Sequence, residues 1–414
     1  MSLNQYHTVY EVRCSESRSL NGKRIVIGVT SSAAIYKAID VVRGLVKRCA
    51  DVYVVMSPEA EKLVSPILFE WACGNRVICK ATGMVEHISL AKMCDCMAIV
   101  PATANTICKV AEGVADTIVT LTALSFIGLG KPLIIVPAMH LNLYKAPQVK
   151  EAISKLESFG ATILEPVIVN DRLRLPEVYD IVFCIESITL RGRDLKGLKV
   201  LVTAGPTREF LDPVRFLSNP SSGYMGVAIA RDAYFRGAEV TLIHGPLSNI
   251  YPPPWIRRFE VTSTEEMNDR ILSELKVKEY DVVILVAAPV DFRFSTTYSA
   301  KKESREGGFT VKLELTPKIA ANVRKAFNGI LVGFAAETVT GNKELIDRAL
   351  NKMNRYGFDI IVANNVARRD IGFSSKYNEV VIITRDGEVR EVPKMTKEEV
   401  ARIILDYVKK LIGR

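Results

Sequence analysis

The chain has 414 residues, of which 48% are hydrophobic and 24% charged, and its formal net charge is +9. This composition is that of an ordinary globular protein with two or three domains. No run of about 18 uncharged apolar residues occurs and the N-terminus has no apolar signal core, so we expect a cytoplasmic protein without membrane segments. The positive charge forms no basic tail or arginine-rich tract, which favours anionic small ligands over nucleic acid.

The eight cysteines include the close pair Cys94 and Cys96, and there are only four histidines. In a long chain without a secretory signal, this number of cysteines does not indicate a disulfide framework. A zinc site would need a second ligand pair at suitable spacing, and the histidines are widely scattered. We therefore expect most of the thiols to be small residues of the core.

The first elements follow an N-terminal extension at residues 1–20, which has no clear period. Residues 23–28 (KRIVIG) form an apolar run typical of a buried strand, and residues 33–48 have apolar side chains at helical spacing. Residues 51–56 form the next apolar run. Together these patterns predict one strand–helix–strand unit with parallel strands.

A similar unit opens at residue 196, with its helix at residues 227–236. Residues 189–197 (TLRGRDLKG) combine glycines and charges with little apolar content and are predicted to be a linker. Strands alternating with helices imply two tandem, doubly wound α/β domains with mostly parallel sheets, at residues 21–188 and 198–414. Further strands are predicted at residues 96–100, 132–136, 281–286, 329–332, 359–362 and 379–384.

Three clusters in the first domain are candidates for ligand binding. Residues 28–37 (GVTSSAAIYK) place hydroxyls between a strand and a helix N-terminus, where phosphate is readily bound. Ordinary helix capping by Ser31 or Ser32 would explain this cluster about as well. Residues 101–106 (PATANT) follow another strand, and His87 lies in a partly apolar helix, where a lone histidine is more often structural than catalytic.

Four segments of the first half occur in an order that is far more specific than any one of them: GVTSSAAIYK, HISLAK, PATANTICKVAEGVADTIVT and PAMHLNLY. Over residues 20–188 the chain resembles the homo-oligomeric flavin-containing cysteine decarboxylases, in particular phosphopantothenoylcysteine decarboxylase. The resemblance implies a flavodoxin-like domain in which His87 is the catalytic acid-base group. It also implies substrate contacts at Met139, His140 and Asn142. The residues implied to hold FMN are Thr30, Ser31, Ser32, Ser57, Pro101, Thr103, Asn105 and Thr106.

The chemistry of this family explains its need for a flavin. Loss of CO2 from a cysteine amide leaves a carbanion without an electron sink. The resemblance implies that the thiol carbon is first oxidised toward a thioaldehyde, that CO2 then leaves, and that the electrons finally return to give the product thiol.

Two positions depart from the family pattern. His140 stands where the substrate clamp usually has asparagine, and it can still donate a hydrogen bond to a carboxylate. Residues 165–178 (EPVIVNDRLRLPEV) correspond to a flap that usually carries a cysteine, and they contain none. Another acid such as Asp171, or water, would then supply the proton in the reductive step. Alternatively, this half is impaired and the flavin domain is regulatory or only binds partners.

The loop at residues 203–226 (TAGPTREFLDPVRFLSNPSSGYMG) is the most prominent feature of the second domain. It follows an apolar strand and precedes a helical pattern, so we predict a long ligand-binding loop. Its glycines permit close approach of the backbone to a ligand, and Arg208 and Arg215 suit phosphate or carboxylate. A purely structural connection would explain the spacing equally well.

Four segments of the second half also occur in order: LVTAGPTREFLDPVRFLSNPSSGYMG, VAAPVDFR, GFAAET and DIIVANNV. Over residues 196–412 the chain resembles phosphopantothenate-cysteine ligase. The resemblance implies that CTP, or alternatively ATP, activates 4'-phosphopantothenate as an acyl-nucleotidylate, which the amine of cysteine then attacks. It implies that Asn219 and Lys301 are catalytic, with Lys302 as the competing lysine. The implied nucleotide contacts are Gly205, Pro206, Thr207, Ala288, Asp291, Phe334, Asp359 and Asn364.

Further roles in the second domain follow from the same resemblance. Asp291 is implied to bind Mg²⁺, or Mn²⁺, because hard cations on triphosphates take carboxylate oxygen. A turn or capping aspartate is the alternative interpretation. Ser221 and Ser222 are implied to bind a substrate phosphate, and Tyr224 replaces a lysine that is common in the family.

The whole chain thus resembles a bifunctional family of coenzyme A biosynthesis, in which the second domain makes the compound that the first consumes. The resemblance implies a homo-oligomer built from trimeric flavin domains and dimeric ligase domains. A dehydrogenase is the weaker alternative, because neither strand–helix turn has the G-x-G-x-x-G spacing followed by an acidic residue.

Overall fold

The structure is a computed structural model that describes residues 8–302, 310–368, 370–372 and 375–413. The chain forms two compact units, Met1–Gly192 and Arg193–Arg414. Their boundary lies within the stretch predicted to be a linker, although residues 189–191 still belong to a helix. The first seven residues of the predicted extension lie outside the described range. Within the described ranges, no helix is both long and apolar enough to cross a membrane.

The first unit contains a parallel sheet of five strands, β1 (Arg24–Val29), β2 (Asp51–Met56), β3 (Cys96–Ala102), β4 (Leu133–Pro137) and β5 (Thr162–Ile163), and a hairpin of β6 (Val167–Val169) and β7 (Arg172–Arg174). The order in the sheet is β2-β1-β3-β4-β5. This is the flavodoxin-like order, which confirms the predicted fold class. Because β2 and β3 flank β1 on opposite sides, the carboxyl ends of β1 and β3 form the switch point where such sheets bind ligands.

Ten helices surround this sheet in the described part of the unit. Their bounds are α1 (Val9–Val12), α2 (Ile35–Lys47), α3 (Pro58–Glu61), α4 (Pro66–Cys73), α5 (Glu86–Met93), α6 (Ala104–Ala111), α7 (Ile118–Gly128), α8 (Leu141–Lys145), α9 (Pro147–Ser158) and α10 (Val178–Arg191). In α2 the buried side chains recur at helical spacing, at Ala38, Val41, Val42 and Leu45. This apolar face packs against the sheet and α10 and explains why the amphipathic pattern predicted the helix.

The N-terminal extension is attached to the first unit by a disulfide between Cys14 and Cys49, whose Cα atoms lie 4.5 Å apart. Val9 of α1 is buried, and it packs closely over Gly74. The expectation that the chain contains no structural disulfide is therefore wrong for this pair. The two cysteines are separated by 35 residues and meet only because the extension folds back. Cys94 and Cys96 are buried core residues, as predicted.

The strands of the second unit are β8 (Lys199–Ala204), β9 (Arg208–Phe210), β10 (Phe216–Ser218), β11 (Glu239–His244), β12 (Arg257–Glu260), β13 (Val282–Leu285), β14 (Phe292–Phe294), β15 (Leu313–Leu315), β16 (Ile330–Glu337), β17 (Ile360–Asn365), β18 (Tyr377–Thr384) and β19 (Val389–Thr396). Eight form one sheet in the order β12-β11-β8-β13-β16-β17-β18-β19. Pairing is parallel as far as β17 and antiparallel for β18 and β19. The prediction of a mostly parallel sheet is confirmed.

The stretch at residues 203–226 is not a simple loop, because β9 and β10 pair within it as an antiparallel hairpin. Its strands are only three residues long and have no clean alternation of apolar and polar side chains, so the sequence pattern gave no sign of them. The hairpin carries the chain out from β8 and back to the following helix. Residues 219–223 thereby come to lie at the carboxyl edge of the large sheet.

Helices cover both faces of this sheet: α11 (Tyr224–Phe235), α12 (Thr264–Val277), α13 (Ile319–Ala326), α14 (Asn342–Tyr356) and α15 (Lys397–Ile412). Alternate strand residues point to opposite faces, so Val200 and Val202 pack with α11 and α15. Leu201 packs in the other core, with α12, α13 and α14. The carboxyl ends of the central strands are thus flanked by helices from both faces.

Candidate active sites

The first candidate site lies at the switch point between β1 and β3, where Thr30 joins two loops. The Thr30 hydroxyl donates to the carbonyl oxygen of Pro101 at 2.7 Å, and the backbone N–H of Thr103 donates to the same hydroxyl at 3.1 Å. Thr30 is almost fully buried. Its hydroxyl therefore fixes the two predicted FMN-binding segments side by side, and it is the neighbouring side chains that remain free to contact a ligand.

These neighbouring groups differ in exposure. Ser31, Ser32 and Thr103 are partly exposed and Asn105 is exposed. Thr103 caps α6, and its hydroxyl lies 3.2 Å from that of Thr106, which is buried. Ser57 is the buried N-cap of α3, directly after β2. The sheet thus brings the predicted FMN residues to one edge, where hydroxyls and helix N-termini suit a phosphate.

His87 is in the first turn of α5, on a different element from these loops. Its Nδ1 atom is buried and has no hydrogen-bond partner among the described residues. A buried polar atom without a partner is costly, and such atoms are often completed by a ligand. The helix starts after Val85, which has a positive φ of 47°. A β-branched residue rarely adopts this conformation, and such strain occurs preferentially at functional sites.

The predicted substrate clamp lies after β4. His140 is exposed and caps α8, and its Nδ1 accepts a hydrogen bond from the backbone N–H of Asn142 at 3.4 Å. The neutral ring then carries its proton on Nε2, which can donate to a substrate carboxylate. Met139 is partly exposed beside it, and Asn142 is exposed.

The segment that replaces the usual cysteine-bearing flap is the hairpin of β6 and β7. Asn170 and Asp171 form its turn, with φ angles of 50° and 56°. Two successive positive φ values are typical of the tight turns that join two-residue hairpins, and asparagine and aspartate favour them. Asp171 therefore lies at the exposed tip. Cys184 is buried in α10, as predicted.

The second candidate site is a cavity of about 450 Å³ at the carboxyl edge of the large sheet. This volume is within the range typical of small-molecule sites. Its wall is formed by the ends of β8, β13, β16 and β17 and by the segment that follows β10. The predicted site residues that line it are Asn219, Ser221, Ala288, Asp291, Phe334 and Asn364.

Asn219 is held in one orientation in this cavity. Its side-chain amide N–H groups donate to the carbonyl oxygens of Ala288, at 3.2 Å, and Pro289, at 3.0 Å. Because both partners are acceptors, the amide nitrogen must face them, and the carboxamide oxygen is left for a ligand. That oxygen can accept a hydrogen bond from an amine or a hydroxyl group.

Asp291 lies on the rim of the same cavity. Its side chain is 68% exposed and accepts a hydrogen bond from Lys318 Nζ at 2.6 Å. No cluster of three or more histidine, cysteine, aspartate or glutamate residues occurs in the described ranges. Mg²⁺ that enters with a triphosphate usually needs only one or two carboxylates from the protein. Asp291 is thus compatible with a metal that the nucleotide brings.

Asp359 corrects one sequence expectation. It precedes β17, whereas Asn364 is near the carboxyl end of that strand, about 16 Å away along an extended chain. The Asp359 carboxylate is bound by Arg324, at 3.3 Å, and Arg385, at 2.7 Å. It also accepts from the backbone N–H of Leu331. Asp359 therefore stabilises the opposite edge of the sheet and does not reach the cavity.

Other predicted residues of the second unit support the cavity without lining it. The Thr207 hydroxyl is buried and accepts from the backbone N–H of Val290 at 2.9 Å. Gly205 has φ of 76° and passes within about a van der Waals contact of Gly245, so a side chain there would be strained. These residues, with Pro206 and Ser222, shape the backbone, and this corrects their expected role as direct nucleotide or substrate contacts.

The two candidate catalytic lysines also lie outside the cavity lining. Lys301 is exposed. The Lys302 ammonium lies 4.9 Å from the centre of the Tyr298 ring, and its backbone N–H donates to Asp212. Residues 303–309, which follow them, lie outside the described residues.

Three other lysines line the cavity and were missed by the sequence analysis: Lys318, Lys352 and Lys397. Burial lowers the pKa of Lys352, although Glu337 and Asp291 oppose the shift. Burial also lowers the pKa of Lys397 to about 8. A signal was present for two of them, because each lies on the apolar stripe of its helix. Lys352 follows Leu345 and Ala349 in α14, and Lys397 precedes Val400 and Ile404 in α15.

Two family models match the chain, one in each unit. The family described as "Flavoprotein" matches residues 13–190. The family described as "DNA/pantothenate metabolism flavoprotein C-terminal domain" matches residues 195–412, which is more than half of the chain.

Similar full-length proteins are bifunctional. The coenzyme A biosynthesis bifunctional protein CoaBC of Thermococcus kodakarensis is 41% identical over 412 residues, covering 98% of this chain and 100% of that protein. The CoaBC protein of Methanocaldococcus jannaschii is 37% identical and covers 98% of each chain. That of Escherichia coli is 35% identical over 94% of this chain and 97% of its own.

Solved structures resemble single halves of the chain. The C-terminal domain of a CoaBC protein is 36% identical and covers 53% of this chain and 98% of its own, with a TM-score of 0.45. The FMN-dependent cysteine decarboxylase SpaF is 25% identical, covering 41% of this chain and 99% of its own, with a TM-score of 0.38. The full-length relatives and the two family models confirm the resemblance that the motifs predicted. The chain belongs to the family of bifunctional coenzyme A biosynthesis proteins, which join a flavoprotein phosphopantothenoylcysteine decarboxylase and a phosphopantothenate-cysteine ligase in one polypeptide.

Proposed function

We propose that the second unit joins 4'-phosphopantothenate to cysteine at the expense of CTP, with Mg²⁺, and that the first unit then decarboxylates the product with FMN. The observation that carries the ligase half is the cavity in which Asn219, Asp291 and three lysines converge. Such a cavity suits a reaction in which the protein mainly positions two reactants and neutralises phosphate charge.

In the ligase half each lining residue has a distinct task. Lys318 and Lys352 neutralise the triphosphate, and Asp291 binds the metal that bridges its oxygens, exchanging its bond to Lys318 for the cation. Phe334 and Ala288 line the nucleotide. The carboxamide oxygen of Asn219 accepts a hydrogen bond from the incoming amine of cysteine, which directs the nitrogen lone pair toward the acyl carbon.

In the decarboxylase half, bound FMN supplies the oxidation of the thiol carbon and the return of the electrons. The residues present fit this cofactor, because Thr30 fixes two hydroxyl-bearing loops at the switch point. His87 lies close to the substrate, where its partnerless Nδ1 can exchange a proton or hold the carboxylate. His140 donates from Nε2 to the same carboxylate.

The hairpin of β6 and β7 takes the place of the cysteine-bearing flap. Its tip residue Asp171, or water, supplies the proton that the missing thiol would have given. A second candidate function follows from this substitution, namely a chain whose ligase unit is active and whose flavin unit is regulatory. Measuring CO2 separately from pyrophosphate distinguishes the two.

We also propose that the protein is a homo-oligomer formed through both units. In the first unit, a group of large apolar side chains on α4 and beside α5 is exposed, comprising Leu63, Ile67, Leu68, Trp71, Met84 and Ile88. In the second, the hairpins expose Phe210, Val214, Phe216, Phe292 and Leu315. Apolar patches of this kind commonly mark interfaces, and they support trimeric contacts of the first unit and dimeric contacts of the second.

The decarboxylase assignment is tested with the His87→Asn variant of the full chain. With 4'-phosphopantothenate, cysteine, CTP and Mg²⁺, we expect CO2 release to fall at least about 100-fold, because a positioned acid-base group contributes on that order or more. Pyrophosphate release and the FMN content of the purified protein should remain unchanged. Equal loss of both products would contradict the assignment and indicate misfolding.

The ligase assignment is tested by comparing lysines. Lys318→Gln and Lys352→Gln should raise the KM for CTP, since they line the cavity, and Lys301→Gln with Lys302→Gln tests the lysines implied by the family motif. Loss of pyrophosphate release in the Lys301 variant alone would establish that residue as catalytic. Full activity in both cavity variants would contradict the proposed triphosphate site. Replacing CTP by ATP in the same assay determines the nucleotide.

A further inference from the structure

The ligase cavity contains a buried lysine to which the proposed reaction assigns no task. Lys397 is the first residue of α15 and is only 3% exposed, yet it lines the cavity. Its ammonium group donates to the carbonyl oxygen of Gly372 at 2.7 Å and lies 5.8 Å from the centre of the Tyr224 ring. A lysine is rarely buried to this extent unless its charge is used.

Lys397 belongs to a different side of the cavity from the other two lysines. It lies on α15, which packs with α11 on one face of the sheet. Lys352 lies on α14 and Lys318 directly precedes α13, and both of these helices pack on the opposite face. A ligand that spans the carboxyl edge of the sheet would therefore meet cationic groups at two separate places.

The acidic groups are also divided between the two sides. Asp291 pairs with Lys318, and with Glu337 it acts on Lys352. The carboxylate that acts on Lys397 is Glu398, and it accepts a hydrogen bond from the Tyr224 hydroxyl. The titratable groups around Lys397 are thus the Tyr224 phenol of α11 and Glu398 of its own helix.

We propose that Lys397 is a ligand-binding residue of the ligase cavity, where its ammonium group binds an anionic oxygen group, phosphate or carboxylate, of the nucleotide or of 4'-phosphopantothenate. This inference rests on the proposed ligase function and adds to it a second anion-binding position. That position lies on the α11 and α15 side, apart from the Lys318 and Lys352 side.

Binding at this position is coupled to a proton. Since the pKa of Lys397 is lowered to about 8, the side chain is partly neutral in the free protein near that pH. An anion next to it favours the charged form and raises the pKa, so that binding takes up a proton. As the pH rises from 7 to 9 the charged fraction falls about tenfold, and the affinity for the anion falls with it.

Titration calorimetry of the full-length protein at pH 8 tests this coupling. CTP and 4'-phosphopantothenate are titrated separately, each in two buffers with different enthalpies of ionisation, which reports the protons taken up per ligand. We expect about half a proton for the ligand that contacts Lys397. The two titrations identify which compound supplies the anion, because phosphates with a pKa near 6 are already ionised at this pH.

Two variants assign the proton to this residue. Lys397→Arg keeps a permanent charge and should bind the ligand with an uptake lowered by about half a proton. Lys397→Met should bind it at least about tenfold more weakly, and thermal unfolding confirms that the variant is folded. Lys352→Arg is the matched control, since Lys352 is also a buried cavity lysine, and it should leave the uptake due to Lys397 in place.

The outcomes separate this inference from the function on which it rests. Wild-type uptake that persists in Lys397→Arg but disappears in Lys352→Arg would overturn the assignment to Lys397. Unchanged affinity in Lys397→Met would do the same while leaving the ligase function intact. Absence of any binding of either compound to the wild-type protein would overturn both proposals.

Discussion

At the scale of single residues, sequence motifs located the site better than they assigned its atoms. Asn219 and Asp291 line the predicted cavity, but Thr207 uses its hydroxyl to hold Val290, and Asp359 lies at the other end of its strand. A motif records which residues recur together and does not separate side chains that touch a ligand from side chains that shape the backbone. That distinction depends on partners that are distant in sequence.

Gly226 shows how a single position controls the geometry of the ligase site. A Cβ at this position would lie 2.7 Å from the carbonyl oxygen of Thr203 and 2.6 Å from Ala204 Cβ. The Thr203 hydroxyl in turn accepts from the backbone N–H groups of Val286 and Ala287, which join β8 to the end of β13. The close approach of α11 to β8 therefore sets the floor of the cavity.

We predict that Gly226→Ala destabilises the protein by about 1–3 kcal/mol, because backbone atoms next to the new methyl group cannot move aside easily. The KM for CTP should rise in the same variant. Thermal unfolding and ligation kinetics measure the two effects. Gly341→Ser is the matched control in the same unit, since a Cβ at Gly341 meets no atom within 4 Å, and it should change stability by less than about 0.5 kcal/mol. Equal stability of both variants would contradict the packing argument.

At the scale of elements, periodicity was sufficient wherever an element is long or fully buried. The strand at residues 51–56 coincides with β2, and the amphipathic pattern at residues 33–48 contains α2. The elements that were missed are short hairpins such as β9 with β10, which are stabilised by pairing and have little apolar pattern of their own. The disulfide was missed because the approach of residues 35 positions apart is a property of the folded chain.

The disulfide gives a direct prediction about the N-terminal extension. Protein unfolded without reductant should contain six reactive thiols, and eight after reduction, since two of the eight cysteines are paired. Thiol titration measures both numbers. Reduction should also destabilise the first unit by up to about 4 kcal/mol in the chain-entropy account, because it opens a loop of 35 residues. Eight reactive thiols before reduction would contradict the pairing, and a Cys14→Ser variant should reproduce the effect of reduction.

At the scale of the whole molecule, each unit has a core of its own. Phe126 and Ile135 belong to the core of the first unit, and the second unit has one core on each face of its sheet. A chain with separate cores can lose one unit before the other. Flavin release and loss of ligation are therefore two independent readouts of folding within one protein.

The buried ion network around Arg236 belongs to the second unit alone and tests this independence. Arg236 is fully buried and binds both oxygens of Asp194, at 2.8 and 2.9 Å. It also pairs with Asp232 of α11, at 3.4 Å, and with Asp406 of α15, at 3.0 Å. One guanidinium group thus fastens the start of the unit to two of its helices, and its removal leaves carboxylates in a low-dielectric environment.

We predict that Arg236→Met lowers the stability of the second unit by about 3–5 kcal/mol, as expected when one partner of a buried ionic network is removed. Ligation should then be lost at a lower temperature, while the temperature at which flavin fluorescence appears stays unchanged. Lys409→Ala is the control, since its pair with Asp194 is 52% exposed on the lysine side and should contribute less than about 1 kcal/mol. If flavin release shifted together with ligation in Arg236→Met, the two units would unfold as one, and the separation of their cores would not extend to their stability.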